Sequence, residues 1–197
     1  MQSNIKSELH DPDLQTRHLS RQQQGRGLID LTITYGIAAC YLGHALVACT
    51  DRGVCSIELA DDPAVLSGRL AAGFKKLELK ETNPESNQLF RDVIQVIEYP
   101  GTDITLPLDL RGTSFQQLVW QALQAIPVGQ TRTYSELALA INRPRAVRAV
   151  ANACAANKLA IAVPCHRVIR QDGSPGGYRW GVARKQQILA REKLFTK

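Results

Sequence analysis

A cysteine stands between a proline and a histidine late in this chain, in the segment Val163-Pro-Cys-His-Arg-Val-Ile-Arg170. Proline cannot donate to a sheet ladder, so the apolar run 159–163 is predicted to be a buried strand that ends at Pro164. Cys165 would then lie where a rigid strand stops, a place from which a side chain can face a pocket. A cationic neighbour or an ordered hydrogen-bond network there would favour the thiolate, the form of cysteine that attacks electrophiles. The alternative is a buried cysteine that only fills apolar space.

Two further residues could turn Cys165 into a nucleophile. His166 is adjacent, but neighbours on an extended segment point in opposite directions, so contact needs a turn or a bridging water. The last predicted helix, 182–194, places Glu192 on the same inward stripe as Ile188. A buried carboxylate is costly unless it has a partner, and a histidine bonded to it becomes a better base. The alternative is an edge position from which Glu192 reaches water.

Two short helices in the second half could bind DNA. Thr133 and Glu136 have the spacing of a capping box, which predicts a helix that runs to about Ile141. Asn142-Arg-Pro144 breaks that helix, and a second one is predicted over 145–156, which together make a helix-turn-helix candidate. Small residues would let the second helix lie close to DNA, although the alanines could instead pack against neighbouring helices. The residues expected to face DNA on this helix are Arg145, Ala146, Arg148, Ala149 and Ala151.

Charge is divided unevenly along the chain. Residues 129–197 carry 13 Lys or Arg and 3 Asp or Glu, whereas residues 1–128 carry 11 basic and 15 acidic groups. Such a split predicts that the second half faces a polyanion, and nucleic acid is the commonest one. A solvated basic surface without a partner is the alternative.

The number and spacing of the cysteines and the hydropathy of the chain indicate in which cellular compartment the protein is expected. The five cysteines are odd in number and show no Cys-x-x-Cys spacing, which argues against a disulfide framework or a zinc site and suits a reducing compartment. No apolar run is long enough to cross a bilayer, and the N-terminus lacks the apolar core of a signal peptide. We therefore expect a soluble, cytoplasmic protein without a metal.

The 197 residues are enough for one domain or two small ones. Residues 1–27 are polar and Gln-rich and are predicted to be a disordered arm. Alternating short runs predict strands, and apolar residues at helical spacing predict helices. Residues 102–110 form the predicted link between the halves. The predicted elements before the DNA-binding helices are strands at 28–34, 45–48 and 54–59, a helix that begins at Asp62-Pro63, and helices at 86–98 and 114–126.

The Pro-Cys-His-Arg motif and the sequence around it resemble the O6-alkylguanine-DNA alkyltransferases. The resemblance runs from about Leu28 to Lys193, is strongest from Arg111 onward, and is greatest to the methyltransferase domain of the bacterial adaptive-response proteins. It implies an α+β fold: an N-terminal ribonuclease-H-like α/β domain, 28–110, followed by a mainly helical winged-helix-like DNA-binding domain, 111–197.

The resemblance also implies an activity. A monomer would bind duplex DNA through the minor groove, flip an O6-alkylguanine out of the stack, and move the alkyl group irreversibly to Cys165. Each molecule would act once, and no cofactor would be needed. Glu192 would complete a Cys-His-Glu relay in which a water links Cys165 to His166.

Three more residues gain roles from the resemblance. Asn157 would link the helix-turn-helix to the active-site loop, although it could also be an ordinary helix C-cap, and one asparagine can do both. Tyr134 would rotate the target phosphate outward and hydrogen-bond the flipped base, and Arg148 would fill the vacated stack. Taken alone, such a tyrosine could cap the core and such an arginine could simply lie on the surface.

The glycine-rich segment 172–181 is expected to form the wall of the base pocket. It is no phosphate cradle of the Walker type, because no Gly-Lys-Ser/Thr follows. Tyr178 and Trp180 would supply aromatic surfaces, backbone amides near Arg179 would face O6, and Val168 would complete the pocket. The bulky Arg179-Trp180 pair predicts a tight pocket that bulky O6-benzylguanine enters poorly.

The chain also departs from its relatives. Longer adaptive-response proteins carry a zinc-binding N-terminal domain with a cysteine cluster, and the residues ahead of Leu28 are too few for one. Cys40, Cys49 and Cys55 are spaced unlike those zinc ligands, so we expect repair without the sensor and activator role.

Two other functions stay open from the sequence. One is a DNA-binding protein without chemistry; alkyltransferase-like proteins of that kind replace the cysteine, which is present here. The other is a cysteine hydrolase built on Cys165, His166 and Glu192, although an adjacent Cys-His pair suits turnover poorly. Stoichiometry separates them, because a hydrolase turns over and an alkyl acceptor stops at one equivalent.

Overall fold

Four strands form one sheet in the first half of the chain. Three of them follow one another as an antiparallel meander, and the fourth pairs in parallel with the first, which gives the spatial order β3-β2-β1-β4. All residues of β3 are buried, so the sheet has its most protected strand at one edge rather than at its centre. The strands are β1 (Thr32–Cys40), β2 (Gly43–Thr50), β3 (Gly53–Ala60) and β4 (Glu78–Glu81).

This computed structural model describes residues 32–75 and 77–196. The predicted arm, 1–27, and the first four residues of the predicted opening strand lie outside the described residues. The two other predicted strands are confirmed as parts of β2 and β3. Strand β4 was not predicted, because its Glu-Leu-Lys-Glu sequence is short and mostly exposed and has little apolar alternation.

Two helices pack with this sheet, and side-chain caps determine where they begin. Helix α1 (Pro63–Gly73) begins at the predicted place, where the Asp62 carboxylate accepts a hydrogen bond from the Ala64 amide at 2.8 Å. Helix α2 (Gln88–Glu98) begins two residues later than predicted. A separate 3₁₀ turn occupies Pro84–Ser86, and the Asn87 side chain then caps the helix.

Four helices dominate the second half. Capping boxes open the first two of them, with Thr113 paired to Gln116 and Thr133 paired to Glu136, so the predicted helix starts at both places are confirmed. The third begins two residues later than predicted, because the Ala146 amide closes a turn onto the Arg143 carbonyl at 2.8 Å. The helices are α3 (Ser114–Gln124), α4 (Tyr134–Ala140), α5 (Val147–Ala155) and α6 (Val182–Phe195), and a two-residue pairing joins β5 (Arg132–Thr133) to β6 (Val168–Ile169).

The predicted strand at 159–163 is wrong. Leu159 makes a single parallel bridge to Ile57 of β3, after which the chain turns instead of extending. The Val163 amide donates back to the Leu159 carbonyl at 3.0 Å, and Ile161 has a φ of +67°, a left-handed conformation that β-branched residues rarely adopt. The apolar run is therefore a buried turn, since its polar backbone groups find partners without a sheet.

One apolar core unites the two halves. Buried side chains from the sheet and α2 belong to the same cluster as those from α3, α5 and α6, which makes residues 32–196 one compact unit. The division between residues 110 and 111 stays a prediction. Core members from both halves include Val47, Ile57, Phe90, Leu123, Val150 and Ile188. Within the described part of the chain, every helix is too short or too polar to cross a membrane.

Candidate active site

Cys165 lies at the start of a 3₁₀ turn, Cys165–Arg167, and only 6% of it is exposed. Its Sγ accepts a hydrogen bond from Nδ2 of Asn157 at 3.2 Å. Burial raises the pKa of the Cys165 thiol, and the Asn157 hydrogen bond and the nearby Lys185 ammonium offset part of that rise. The resting side chain is thus a protonated thiol that already has a donor directed at its sulfur.

Asn157 holds the turn that carries Cys165. Its Nδ2 also donates to the carbonyls of Val163 at 2.8 Å and Leu159 at 3.3 Å, and its Oδ1 accepts from the Leu159 amide at 2.9 Å. These bonds satisfy buried backbone groups that a strand ladder would otherwise serve. The Asn157 amide in turn donates to the Cys154 carbonyl at 3.2 Å, so one residue both closes the end of α5 and contacts the thiol.

His166 and Glu192 form a buried pair. Nε2 of His166 lies 2.8 Å from Oε1 of Glu192, and at most 1% of either side chain is exposed. Burial lowers the pKa of His166, with the Glu192 carboxylate opposing that effect, so the imidazole is neutral. Since Glu192 is ionised, the ring proton lies on Nε2, and Nδ1 keeps its lone pair. Nδ1 is buried and has no hydrogen-bond partner among the described residues.

Sequence reasoning did not anticipate that Arg167 shares Glu192 with His166. Its Nε donates to both carboxylate oxygens at 3.0 and 3.1 Å, and its Nη2 donates to Oε1 at 2.8 Å. The Gly129 amide adds a fifth hydrogen bond to the Glu192 carboxylate at 3.1 Å. Burial alone would raise the pKa of Glu192, but the bonds from His166 and Arg167 outweigh it and lower the pKa to about 2. The 3₁₀ turn, which sequence did not show, brings both side chains to one carboxylate.

Lys185 was also missed. It is fully buried on α6, and its ammonium donates to the carbonyls of Val168 and Pro175. Burial lowers its pKa, while the nearby thiols of Cys165 and Cys154 oppose that shift. The sequence did contain a signal, since Lys185 lies three residues before Ile188 on the same inward stripe as Glu192. It ties β6 to the glycine-rich segment.

A cavity of about 580 Å³ opens beside Cys165. It brings together residues from α4, α5, the 3₁₀ turn and the glycine-rich segment, and several of the predicted site residues are among them. Its walls include Tyr134, Arg148, Ala151, Cys165, Tyr178 and Arg179.

Two residues expected in the pocket lie elsewhere. Val168 is fully buried in β6 opposite Arg132, because strand pairing turns its side chain into the core. Trp180 packs behind Tyr178, with 5.0 Å between the ring centroids. Its indole nitrogen donates to Oε2 of Glu58 at 2.7 Å, since a buried indole N–H needs an acceptor and β3 supplies one. Tyr178 and Arg179 therefore form the wall, and Trp180 backs it.

The predicted DNA-facing residues lie on the outer side of α5 and the turn before it. Arg145, Arg148 and Ala149 are exposed, and Ala146 and Ala151 are partly buried. Inward packing falls instead to other members of the helix, Val150, Ala153 and Cys154. The outer face is thus basic and made of small residues, and Arg148 reaches the cavity.

The arrangement is of the kind that can activate a cysteine nucleophile. A thiol lies on a cavity wall, an asparagine is bonded to it, and a neutral histidine backed by a carboxylate is the next residue in the chain.

Comparisons with known proteins define the family. Residues 114–194 match the model of the 6-O-methylguanine DNA methyltransferase DNA-binding domain. The chain is 50% identical over 178 residues to the bifunctional transcriptional activator/DNA repair enzyme Ada of Escherichia coli, covering 90% of this chain and 50% of Ada. It is 48% identical over 102 residues to the inducible methylated-DNA–protein-cysteine methyltransferase of Bacillus subtilis, covering 52% of this chain and 57% of that protein.

A solved structure extends the similarity to the fold. Mycobacterium tuberculosis OGT in complex with DNA superposes with a TM-score of 0.65 at 31% identity, over 82% of this chain and 93% of that one. This chain belongs to the methylated-DNA–protein-cysteine methyltransferases, which confirms the predicted O6-alkylguanine-DNA alkyltransferase family and the mixed α+β fold. It spans half to somewhat more than half the length of the two curated relatives above.

Proposed function

We propose that this protein repairs O6-alkylguanine in duplex DNA by transferring the alkyl group to Sγ of its own Cys165, once per molecule. The observation that carries the proposal is the position of that sulfur. It lies on the wall of a cavity that adjoins the basic helix α5, and Nδ2 of Asn157 is 3.2 Å away. The next residue in the chain is His166, which is paired with Glu192. Family membership supports the same assignment.

Proton transfer begins at the thiol. Cys165 is protonated at rest because burial raises its pKa, so a base must accept its proton before the sulfur attacks. Nδ1 of His166 keeps the only ring lone pair, and a water between Sγ and Nδ1 would carry the proton, as the family resemblance implies. Glu192 stabilises the imidazolium that forms, because its carboxylate already accepts the Nε2 proton.

Transfer of the alkyl group to Sγ then releases the repaired guanine. A bond forms between Sγ and the alkyl carbon as the bond from that carbon to O6 breaks, and the electron pair returns to guanine. Tyr134, whose side chain lines the cavity, would donate a hydrogen bond to the departing base. Guanine gains one proton overall, which is the one that the thiol lost, and the resulting thioether is stable. No cofactor enters this balance, and the protein is consumed.

The second half would bind the duplex through α4 and α5. The exposed Arg145 and Arg148 would meet phosphates, and the small residues between them would let α5 lie in the minor groove. Arg148 reaches the cavity that would receive the flipped base, so its planar guanidinium is placed to fill the vacated stack.

We also propose the finer description of the fold. The strand order β3-β2-β1-β4, with three antiparallel strands and a parallel fourth, supports a ribonuclease-H-like first domain over 28–110. The helices α4 and α5 and the short β5–β6 pairing support a winged-helix-like second domain over 111–197. We expect the protein to act as a monomer.

The test is a mass measurement. Purified protein is mixed with excess duplex that carries O6-methylguanine, and intact and peptide masses are recorded. We expect one added methylene per protein on the Cys165 peptide, and none in Cys165→Ala. An unmodified protein that still binds the lesion would instead be a recognition factor, and repeated release of product would indicate a hydrolase.

A further inference from the structure

A buried carboxylate in the first half of the chain contacts the wall of the cavity. Glu58 lies on β3 and is 5% exposed. Its Oε2 accepts the indole N–H of Trp180 at 2.7 Å, and its Oε1 accepts from Nη2 of Arg179 at 3.3 Å. A carboxylate in such a place is costly without partners, and both of these partners come from the glycine-rich segment.

These contacts reach the cavity wall by two routes, through Arg179 directly and through the Trp180 ring. Trp180 packs edge-on against Tyr178 at 5.0 Å, and Tyr178 and Arg179 line the cavity that exposes Cys165. Glu58 thus fixes Arg179 by a direct charged hydrogen bond and Tyr178 through the Trp180 ring.

Few other contacts hold this wall. Residues 171–179 form no helix or strand and are mostly exposed or half-buried. Lys185 anchors the segment at the Pro175 carbonyl, and Arg184 holds the Trp180 carbonyl at 3.1 Å while also donating to the Leu42 carbonyl at 3.0 Å. Between these anchors, Glu58 supplies the side-chain contacts at Arg179 and Trp180.

We propose that Glu58 is a positioning residue that sets the size of the group accepted at Cys165. By holding Arg179 and Trp180 against β3, it keeps the wall close to the sulfur and leaves room for a small O6 substituent only. Removing the carboxylate lets the wall move outward and admits bulky aryl substituents. This inference rests on the proposed alkyl transfer and adds to it a specificity determinant in the half of the chain that lacks the nucleophile.

The test compares two substrates on the same protein. Transfer rates are measured with duplexes that differ only in carrying O6-methylguanine or O6-benzylguanine, for the wild-type protein, Glu58→Gln and Glu58→Ala. We expect the benzyl-to-methyl rate ratio to rise roughly tenfold in Glu58→Ala, the effect of losing a charge-assisted hydrogen bond, and by less in Glu58→Gln, which keeps an acceptor for Trp180. Both rates of a variant are measured on the same preparation, so any inactive fraction of the protein affects both equally and leaves their ratio unchanged.

Asp109→Asn is the matched control. Asp109 is also a buried carboxylate of the first half, bonded to Arg111 and Thr50, and it does not line the cavity beside Cys165. Its substitution is expected to leave the ratio unchanged. If general loosening of the first half caused the effect, this control would raise the ratio as well and would overturn the proposal.

A second variant covers the case in which Glu58→Ala does not fold. Trp180→Phe keeps a smaller aromatic ring beside Tyr178 and removes the N–H that Glu58 accepts together with part of the indole, so the ratio should rise in the same direction. An unchanged ratio in the folded variants, with methyl transfer intact, overturns the role of Glu58. A wild-type protein that transfers no methyl group contradicts the proposed function instead.

Discussion

Nε2 of His166 lies 2.8 Å from Oε1 of Glu192, and the same carboxylate accepts three hydrogen bonds from the Arg167 guanidinium. Glu192 therefore serves two cationic or protonated partners inside the fold. It sets the tautomer of the histidine, and it neutralises an arginine that would otherwise be a buried, unpaired charge. The proposed proton transfer and the stability of the fold would therefore both depend on one side chain at the end of α6.

Glu192→Gln should impair both roles, which two separate assays measure. The variant keeps an acceptor for Nε2 of His166 but loses the negative charge that would stabilise the imidazolium, so we expect the methyl-transfer rate to fall about 100-fold, a typical loss for an impaired general base. It also leaves Arg167 without its carboxylate, which should lower the free energy of unfolding by about 3 kcal/mol. Single-turnover repair assays and urea unfolding measure the two effects.

The control for this variant is Glu98→Gln. Glu98 pairs with Arg191 at 3.3 Å, but both side chains are partly exposed, so the change in unfolding free energy should stay below about 1 kcal/mol. If Glu98→Gln lowered the free energy of unfolding as much as Glu192→Gln, burial of the ion pair would not explain the loss of stability in Glu192→Gln.

Acid should destabilise the fold through the same pair. The pKa of Glu192 is lowered to about 2 in the folded protein, so its contribution is complete above the ordinary glutamate pKa and is lost as pH falls from there toward 2. Burial lowers the pKa of His166, so the histidine also favours unfolding once the pH drops below its ordinary value. Unfolding free energies measured between pH 7 and pH 3 should therefore fall steadily, with a shallower decline in Glu192→Gln. An identical pH profile in the two proteins would contradict this assignment.

The sequence predicted what is local and missed what is not. The capping box of Thr133 and Glu136 and the inward stripe that holds Glu192 depend on residues three or four apart, so their spacing was sufficient. The run 159–163 was predicted as a strand because apolarity alone cannot separate a buried strand from a buried turn. The deciding contact is the Asn157 side chain, which satisfies the backbone of that turn.

The same distinction explains the missed partners of the site. Arg167 was overlooked because adjacent side chains on an extended segment point to opposite faces, whereas the 3₁₀ turn lets both His166 and Arg167 reach Glu192. Trp180 was placed in the pocket because its partner, Glu58, lies 122 residues away on β3. Contacts of this range follow from packing and not from spacing.

Asn157→Ala should affect both the turn and the thiol. The variant leaves the Leu159 amide without its acceptor and removes one of the two donors to the Val163 carbonyl, which should lower the free energy of unfolding by about 1 to 3 kcal/mol. It also removes the hydrogen bond that lowers the pKa of Cys165, so that pKa should rise further and alkylation by iodoacetamide should shift to higher pH. Peptide masses report each cysteine separately. The partly exposed Cys40 serves as the internal reference and should react as in the wild type.

Arg148→Ala should slow methyl transfer from duplex DNA more than methyl transfer from the free base. Arg148 is exposed, lies on the outer face of α5 and reaches the cavity, whereas the thiol and its relay are buried behind it. If Arg148 fills the vacated stack as proposed, its loss should slow methyl transfer from duplex DNA at least tenfold, because the flipped state is no longer held open. Reaction with the free base O6-methylguanine needs no flipping and should change by less than about twofold. The matched control is Arg91→Ala on α2, which removes an exposed positive charge from the first half and should leave both rates at their wild-type values. A parallel loss with duplex and free base in Arg148→Ala would place Arg148 in the chemical step and contradict its role in holding the flipped state.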